Sequence, residues 1–184
     1  MELIQDASLI ADAVMRAMLA VLQPGMLETQ VAAWGYFVAR ELGAEELGFD
    51  IMVGANESNR TLIGKALNRR INYGDYVHLG VGTKRDGLNA CIRRSVIAVP
   101  SPSEVSPEQQ YWFDLVEEAY DIGFAKYCEV AKHNLPAKLQ EQSLVDYFAG
   151  RSEEVSKRTG KSIQLDLLKP YTGTHNSGYT ECQE

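Results

Sequence analysis

The 184-residue sequence has few cysteines and no long apolar segment. Its three cysteines, Cys91, Cys128 and Cys182, are widely spaced and form no CxxC pair, so they predict reduced thiols rather than a disulfide framework. No stretch approaches the roughly 18 apolar residues that cross a bilayer. The acidic N-terminus MELIQDASLIADAV differs from the basic start of a secretion signal. These features predict a cytoplasmic protein.

Positive charge is also scarce. The chain has 18 Lys and Arg against 25 Asp and Glu, which gives a net charge of −7. An acidic protein repels nucleic acid and anionic membranes, so neither is expected as a partner. The sequence contains no GxGxxG, Walker loop, HExxH or GxSxG motif. Its length and its 45% hydrophobic fraction are those of one globular domain spanning residues 1–184.

Apolar residues at three- and four-residue steps predict two N-terminal helices separated by Pro24-Gly25. The second would run from about residue 28 to 42 and stop at Gly43. The first helix would bury Leu3, Ala7, Ile10, Val14, Met18 and Leu22, and the second Val31, Trp34, Val38 and Leu42.

Short apolar runs predict three strands after these helices. Phe49–Gly54 is the first, and Tyr76–Val81 and Leu88–Val99 form a hairpin around the turn-forming residues 82–87. A half covering residues 1–100 would end there.

The second half, residues 106–184, begins with a strong helix start. Ser106, Pro107 and Gln109 fit an N-cap, a first helical position and a capping box. A further helix is expected over about 138–158 and a short strand over 163–168. The first of these helices, ending near Lys132, would bury Trp112, Leu115, Ala119, Ile122 and Ala125.

Both halves follow the plan helix, Pro-containing break, helix, Gly, strand. This weak internal repeat is either real or a coincidence of common helix hairpins. If it is real, a ligand pocket is expected where the sheets of the two halves meet.

The order of several segments resembles the creatinase/aminopeptidase P/methionine aminopeptidase family. The matching segments are LQPGMLETQ, LGFDIMVGANES, INYGDYVHLGVGTKRDGLNACIRRSVIAV, the helix from Ser106, and YTGTHNSGYTECQE. The resemblance implies the α/β (α+β) pita-bread fold, a curved and mostly antiparallel sheet covered by helices, with two pseudo-symmetric halves.

The resemblance also implies further strands after the last segment, whereas the sequence stops at Glu184. We therefore expect a fold that is incomplete at its C-terminus, either as a fragment or as a chain whose missing sheet comes from elsewhere. A sheet without its neighbouring strands exposes an unpaired edge, which favours a homo-oligomer.

The resemblance fails at the metal ligands. In the family, an Asp on the strand after Gly-Asp and a second Asp eleven residues later bind two divalent ions, usually Mn, Co or Zn, together with a later His and two Glu. Gly80 and Cys91 stand at these two positions. Glycine has no donor and a thiol is a soft ligand, so no metal cofactor is expected.

Four residues are candidates for a site. The resemblance implies that His175, in segment 173–178, which is similar to the family's GHxxG strand, lines the pocket and is the candidate catalytic residue. Arg94 matches a family Arg and could bind a carboxylate. Cys91 and His78 are candidate substrate contacts, although the position of His78 within a strand favours a half-buried structural histidine. The family's other pocket His is replaced at Ile63-Gly64.

Two functions follow. The first is a metal-independent, creatinase-like or aminopeptidase P-like hydrolase that cleaves a C–N bond in a small amide, amidino or Xaa-Pro-type substrate. The alternative is a catalytically inactive pita-bread module that binds a peptide or a partner protein.

Overall fold

The computed structural model describes residues 2–60, 64–169 and Gly173, without the side chains of residues 59 and 60. The chain divides into two compact units, with the boundary between Val105 and Ser106. None of the described helices is both long and apolar enough to cross a membrane.

The sheet of the first unit is built around one long strand. β3 (Tyr76–Arg85) pairs antiparallel with β4 (Leu88–Ile97) along its whole length. β2 (Met52–Ala55) pairs with residues 77–80 of β3, and β1 (Glu46–Leu47) with residues 83–84, both antiparallel. The sheet is therefore antiparallel in every described pair, as the sequence predicted.

The hairpin turn is tighter than the predicted segment 82–87. Only Asp86 and Gly87 join the strands, with φ angles of 48° and 79°. A two-residue turn with both φ angles positive matches the right-handed twist of the paired strands, and Asp-Gly is a favoured sequence for it. Both strands therefore extend to ten residues.

Two helices cover one face of the sheet. α1 (Glu2–Val21) and α2 (Glu28–Glu41) confirm the two predicted helices. The strand residues Val77, Leu79 and Val81 are fully buried against them, and we call this side of the hairpin the helix face. The α1 residues Ala7, Ile10, Val14 and Met18 are buried as predicted, whereas Leu3 is exposed.

The buried side of α2 differs from the prediction. Trp34 and Leu42 are each 48% exposed, and the buried residues are Glu28, Val31, Ala32, Gly35 and Ala39. The small residues allow close approach: a Cβ on Gly35 would lie 2.7 Å from both Ile51 Cδ1 and Met18 Sδ. Backbone proximity, rather than the largest side chains, therefore determines which side of α2 is buried.

Glu28 is a buried carboxylate at the start of α2. Its Oε1 accepts a hydrogen bond from the Ala55 amide and its Oε2 one from the Leu67 amide, both at 2.9 Å. A buried charge is tolerated only when it is hydrogen-bonded. Glu28 therefore ties α2 to the end of β2 and to the segment that leads to β3.

The second unit is mainly a helical hairpin. α3 (Pro107–His133) begins with the predicted capping box, in which Ser106 Oγ accepts from the Gln109 amide at 3.2 Å. α4 (Lys138–Thr159) ends at Gly160, also as predicted. The predicted strand over 163–168 is wrong, because Leu165–Leu168 forms a short helix, α5.

The prediction of which α3 side chains are buried is also wrong in part. Leu115 and Ala119 are buried as predicted, but Ile122 and Ala125 are exposed and Trp112 is only half-buried. Gly123 and Val130 are buried instead. Gly123 brings α3 close to α4, since a Cβ there would lie 2.9 Å from Leu144 Cδ2.

Candidate functional site

The second face of the β3–β4 hairpin carries two of the four predicted site residues, His78 and Cys91. Directly opposed residues of an antiparallel pair share a face. In the observed register His78 opposes Ser95, Gly80 opposes Arg93, and Gly82 opposes Cys91. We call this set of six residues the glycine face. Gly80 and Cys91 thus lie on one face as diagonal neighbours, as expected of the two positions that hold acids in the family.

Two side chains from outside the hairpin pack on the glycine face. A Cβ on Gly80 would collide with Met52 Cε and would lie 3.3 Å from Met52 Cβ. A Cβ on Gly82 would lie 2.5 Å from Phe49 Cε1. The space that a side chain at position 80 would need is therefore filled by the thioether of Met52.

His78 is half-buried on this face. Its Nδ1 lies 3.3 Å from Ser95 Oγ, and its buried Nε2 has no hydrogen-bond partner among the described residues. Burial lowers the pKa of His78, and the positive charge of Arg93 lowers it further. The imidazole is therefore neutral at pH 7 and can accept a proton or a hydrogen bond.

Two adjacent arginines lie on opposite sides of β4. Arg93 opposes Gly80, and its Cζ lies 5.8 Å from the centroid of the Phe49 ring. Arg94 opposes Leu79, is exposed, and donates to the Arg93 carbonyl at 2.7 Å. The register therefore brings Arg93, rather than the predicted Arg94, together with His78 and Cys91. No sequence motif marked Arg93; the alternation of the strand was the available signal.

His175 lies outside the described residues, as does Ile63. The arrangement of His175 relative to the glycine face therefore stays a prediction. The structure places His78 and Cys91, two of the three predicted substrate contacts, on the same face of the hairpin.

The glycine face does not fit the metal centre that the family resemblance implies. Gly80 offers no donor, and Met52 fills the space where a ligand side chain would lie. Cys91 offers a thiol, which is a soft ligand, at a position where the family's metal centre has a carboxylate oxygen. Within the described part of the chain, no three His, Cys, Asp or Glu side chains form a group that could hold an ion.

The second unit has a separate apolar groove of about 370 Å³. Tyr120, Phe124 and Tyr127 stack along α3 with ring centroids 5.9 and 6.5 Å apart. The three rings are largely exposed. Gln140, Leu144 and Phe148 of α4 line the other side. An exposed apolar surface of this kind is typical of an interaction site.

An antiparallel sheet covered by helices is the architecture that the family resemblance implied. The chain belongs to the metallopeptidase family M24, whose model matches residues 2–181. It is 29% identical over 156 residues to an Xaa-Pro dipeptidase of Pyrococcus furiosus, covering 80% of this chain and 42% of the relative. It is 31% identical over 168 residues to an uncharacterized peptidase of Bacillus subtilis, covering 90% of this chain and 45% of the relative.

Solved structures agree on the fold. Prolidase from Pyrococcus furiosus superposes with a TM-score of 0.76 at 22% identity, covering 99% of this chain and 48% of that one. An Xaa-Pro dipeptidase from Bacillus anthracis gives a TM-score of 0.76 at 23% identity, covering 100% and 46%. The pita-bread fold is thereby confirmed. The chain spans less than half the length of the relatives that it matches.

Proposed function

We propose that this chain is part of a metal-independent C–N bond hydrolase that acts on a small amide, amidino or Xaa-Pro-type substrate. Membership of family M24 supports hydrolysis, and relatives with the names Xaa-Pro dipeptidase and prolidase support the bond type. The observation that carries metal independence is the packing of Met52 against Gly80 at the first carboxylate position.

Hydrolysis without a metal needs a side chain that takes a proton from the attacking water and returns it to the leaving nitrogen. We assign this catalytic role to His175 and a substrate-binding role to His78. The lowered pKa of His78 supports its role, because a neutral imidazole can accept a hydrogen bond from a substrate N–H. Cys91 and Arg94 were predicted as further substrate contacts; Cys91 lies on the glycine face, and Arg94 lies on the other side of β4.

The test is turnover of a panel of small amides, guanidino compounds and Xaa-Pro dipeptides by the chain after dialysis against a chelator. Activity should survive chelation and should fall at least about 100-fold in His175→Ala, which is the low end of a general base's contribution. His133→Ala is the matched control, because His133 is an exposed histidine at the C-terminal end of α3. Activity that is lost on chelation and restored by Mn, Co or Zn would refute metal independence.

The alternative is a catalytically inactive module that binds a peptide or a partner protein. The exposed, stacked rings of Tyr120, Phe124 and Tyr127 favour this reading, since aromatic grooves recognise extended peptides. Such a module would show no turnover with the panel. Phe124→Ser would abolish its partner binding while leaving the first unit unchanged.

The predicted homo-oligomer and the predicted cytoplasmic location are part of this proposal. Light scattering on the purified chain tests the oligomer: a mass near 20.4 kDa would indicate a monomer.

A further inference from the structure

The chain that leads to His175 is bound to α4 at two described points. Lys169 follows α5, and Gly173 comes shortly before His175. Both contact the side chain of Glu141, which lies in the first turn of α4. Glu141 Oε1 forms an ion pair with the Lys169 ammonium, and Glu141 Oε2 accepts a hydrogen bond from the Gly173 amide at 2.7 Å. One carboxylate therefore holds two points of the chain that precede His175.

Close packing also determines the position of Gly173. A Cβ at this residue would collide with Leu144 Cδ1 and would lie 2.7 Å from Gln140 Nε2. Leu144 and Gln140 are both buried residues of α4. Because glycine has no side chain, its backbone can approach the helix this closely. The amide of Gly173 therefore comes within reach of the Glu141 carboxylate.

The ion pair of Glu141 is well suited to hold the chain in place. The side chains of Lys169 and Glu141 are 15% and 30% exposed, whereas those of Lys157 and Glu153, which pair within α4, are 75% and 79% exposed. Water screens an exposed pair so strongly that it contributes little. Burial on its own would raise the pKa of Glu141, but the hydrogen bonds from Lys169 and from the Gly173 amide lower it below its ordinary value. Both contacts therefore favour the charged carboxylate.

We propose that Glu141 is a positioning residue, which holds the chain before His175 in one place and so determines where the imidazole can act. This inference deepens the proposed hydrolase and rests on the assignment of His175 as its catalytic residue. Covalent geometry keeps the Cα of His175 within about 7 Å of the Cα of Gly173. A displacement of about 1 Å in a catalytic group can cost on the order of 100-fold in rate. Glu141 can therefore affect the reaction without contacting the substrate.

The first test follows His175 without turnover. The chain has three histidines, so proton–carbon NMR of the imidazole rings can be assigned with His78→Ala, His133→Ala and His175→Ala. Glu141→Ala removes both contacts and should shift the His175 ring signal, while the His78 signal stays in place. Hydrogen exchange of the Gly173 amide should become faster on the order of ten-fold, because that amide loses its acceptor.

Glu153→Ala is the matched control, because Glu153 is an exposed acid of the same helix. It should change neither the His175 signal nor the exchange of the Gly173 amide. Lys169→Met removes the ammonium but leaves the carboxylate to accept from Gly173, so its effect should be smaller than that of Glu141→Ala. Glu141→Gln keeps an acceptor for the same amide and should also have the smaller effect. These two variants keep the comparison available if Glu141→Ala does not fold.

Kinetics relates these contacts to the reaction. For the compound of the panel that is hydrolysed fastest, Glu141→Ala should lower kcat on the order of ten-fold and leave KM nearly unchanged. Glu153→Ala should match wild type. An unchanged His175 signal in Glu141→Ala, or the same shift in Glu153→Ala, would overturn the inference.

The two proposals fail separately. A chain that hydrolyses a panel compound equally fast in wild type and Glu141→Ala would retain the hydrolase and refute the positioning role. A chain in which Glu141→Ala shifts the His175 signal, but which hydrolyses no panel compound, would refute the hydrolase and retain the effect of Glu141 on the position of His175.

Discussion

The two faces of the β3–β4 hairpin share strands and register but are packed in opposite ways. On the helix face, Val77, Leu79 and Val81 supply large aliphatic side chains that pack against α1 and α2. On the glycine face, β3 supplies two glycines, and the packing side chains come from Met52 and Phe49 outside the hairpin. The buried aliphatic side chains of the helix face therefore contribute most to the stability of the fold. Side chains on the glycine face can be replaced without a change in the register of the two strands.

The largest expected effect is on the helix face. Leu79 is fully buried within the core cluster. Leu79→Ala should lower the free energy of unfolding by about 2–5 kcal/mol, because it loses buried apolar surface and leaves a cavity. Urea denaturation followed by circular dichroism measures this. A loss below about 1 kcal/mol would show that the helix face is not the main source of stability.

A smaller effect is expected from filling the glycine face. Gly80→Ala places a methyl group against Met52 Cε and should cost about 1–3 kcal/mol. Because the colliding atom ends a flexible side chain, the cost should shrink when Met52 is also replaced by Ala, which a double-mutant cycle measures.

Gly150→Ala is the matched control for that substitution. Gly150 lies inside α4, and a Cβ there would have no atom within 4 Å. Alanine is a better helix former than glycine, so this variant should be more stable by about 0.5–1 kcal/mol. Destabilisation of the same size in both variants would mean that the Met52 contact is not the cause.

The comparison also shows which features the sequence could predict. The capping box at Ser106 and the strands around Asp86-Gly87 are local signals, so the helix start and the hairpin followed from them. Trp34 and Ile122 were assigned to buried stripes by their apolar character and helical spacing, yet Gly35 and Gly123 take the close contacts. Such contacts depend on how closely two backbones approach, which periodicity does not encode.

The candidate site was also predicted only in part. The family resemblance assigned Gly80 and Cys91 to the two acid positions, and the register places both on one face. The choice between Arg93 and Arg94 required the strand register, and a family motif pointed to the residue on the other side. The packing of Met52 against Gly80 joins residues 28 positions apart and had no signal in the sequence.

Replacing Thr83 should have an intermediate effect on the free energy of unfolding. Thr83 lies on the helix face beyond the aliphatic residues and makes a polar contact. Thr83 is fully buried and its Oγ1 donates to the Ala7 carbonyl of α1 at 2.7 Å. Thr83→Val keeps the shape but removes the donor, so it should cost about 1 kcal/mol. Ser95→Ala, at an exposed position on the glycine face, is the control and should cost less. A larger loss in Ser95→Ala would reverse the assignment of the two faces.

The smallest effect is a pH dependence that only the glycine face should produce. His78 has a lower pKa in the folded chain than its ordinary value of 6.5, because of burial and the charge of Arg93. As the pH falls, His78 is therefore protonated in the unfolded chain before it is protonated in the folded chain. The contribution of neutral His78 to the free energy of unfolding is complete above about pH 6.5 and is lost as the pH falls below that value. Urea unfolding at pH 7.5 and 5.5 should show that the free energy of unfolding falls more in wild type than in His78→Gln.

Arg93→Gln separates the two causes of that shift. With the neighbouring cation removed, the pKa of His78 should rise toward its ordinary value, and stability should fall less on acidification than in wild type. Ser95, which contacts Nδ1, stays in place in both variants. Identical losses in the free energy of unfolding between pH 7.5 and 5.5 in wild type and Arg93→Gln would mean that burial alone lowers the pKa of His78.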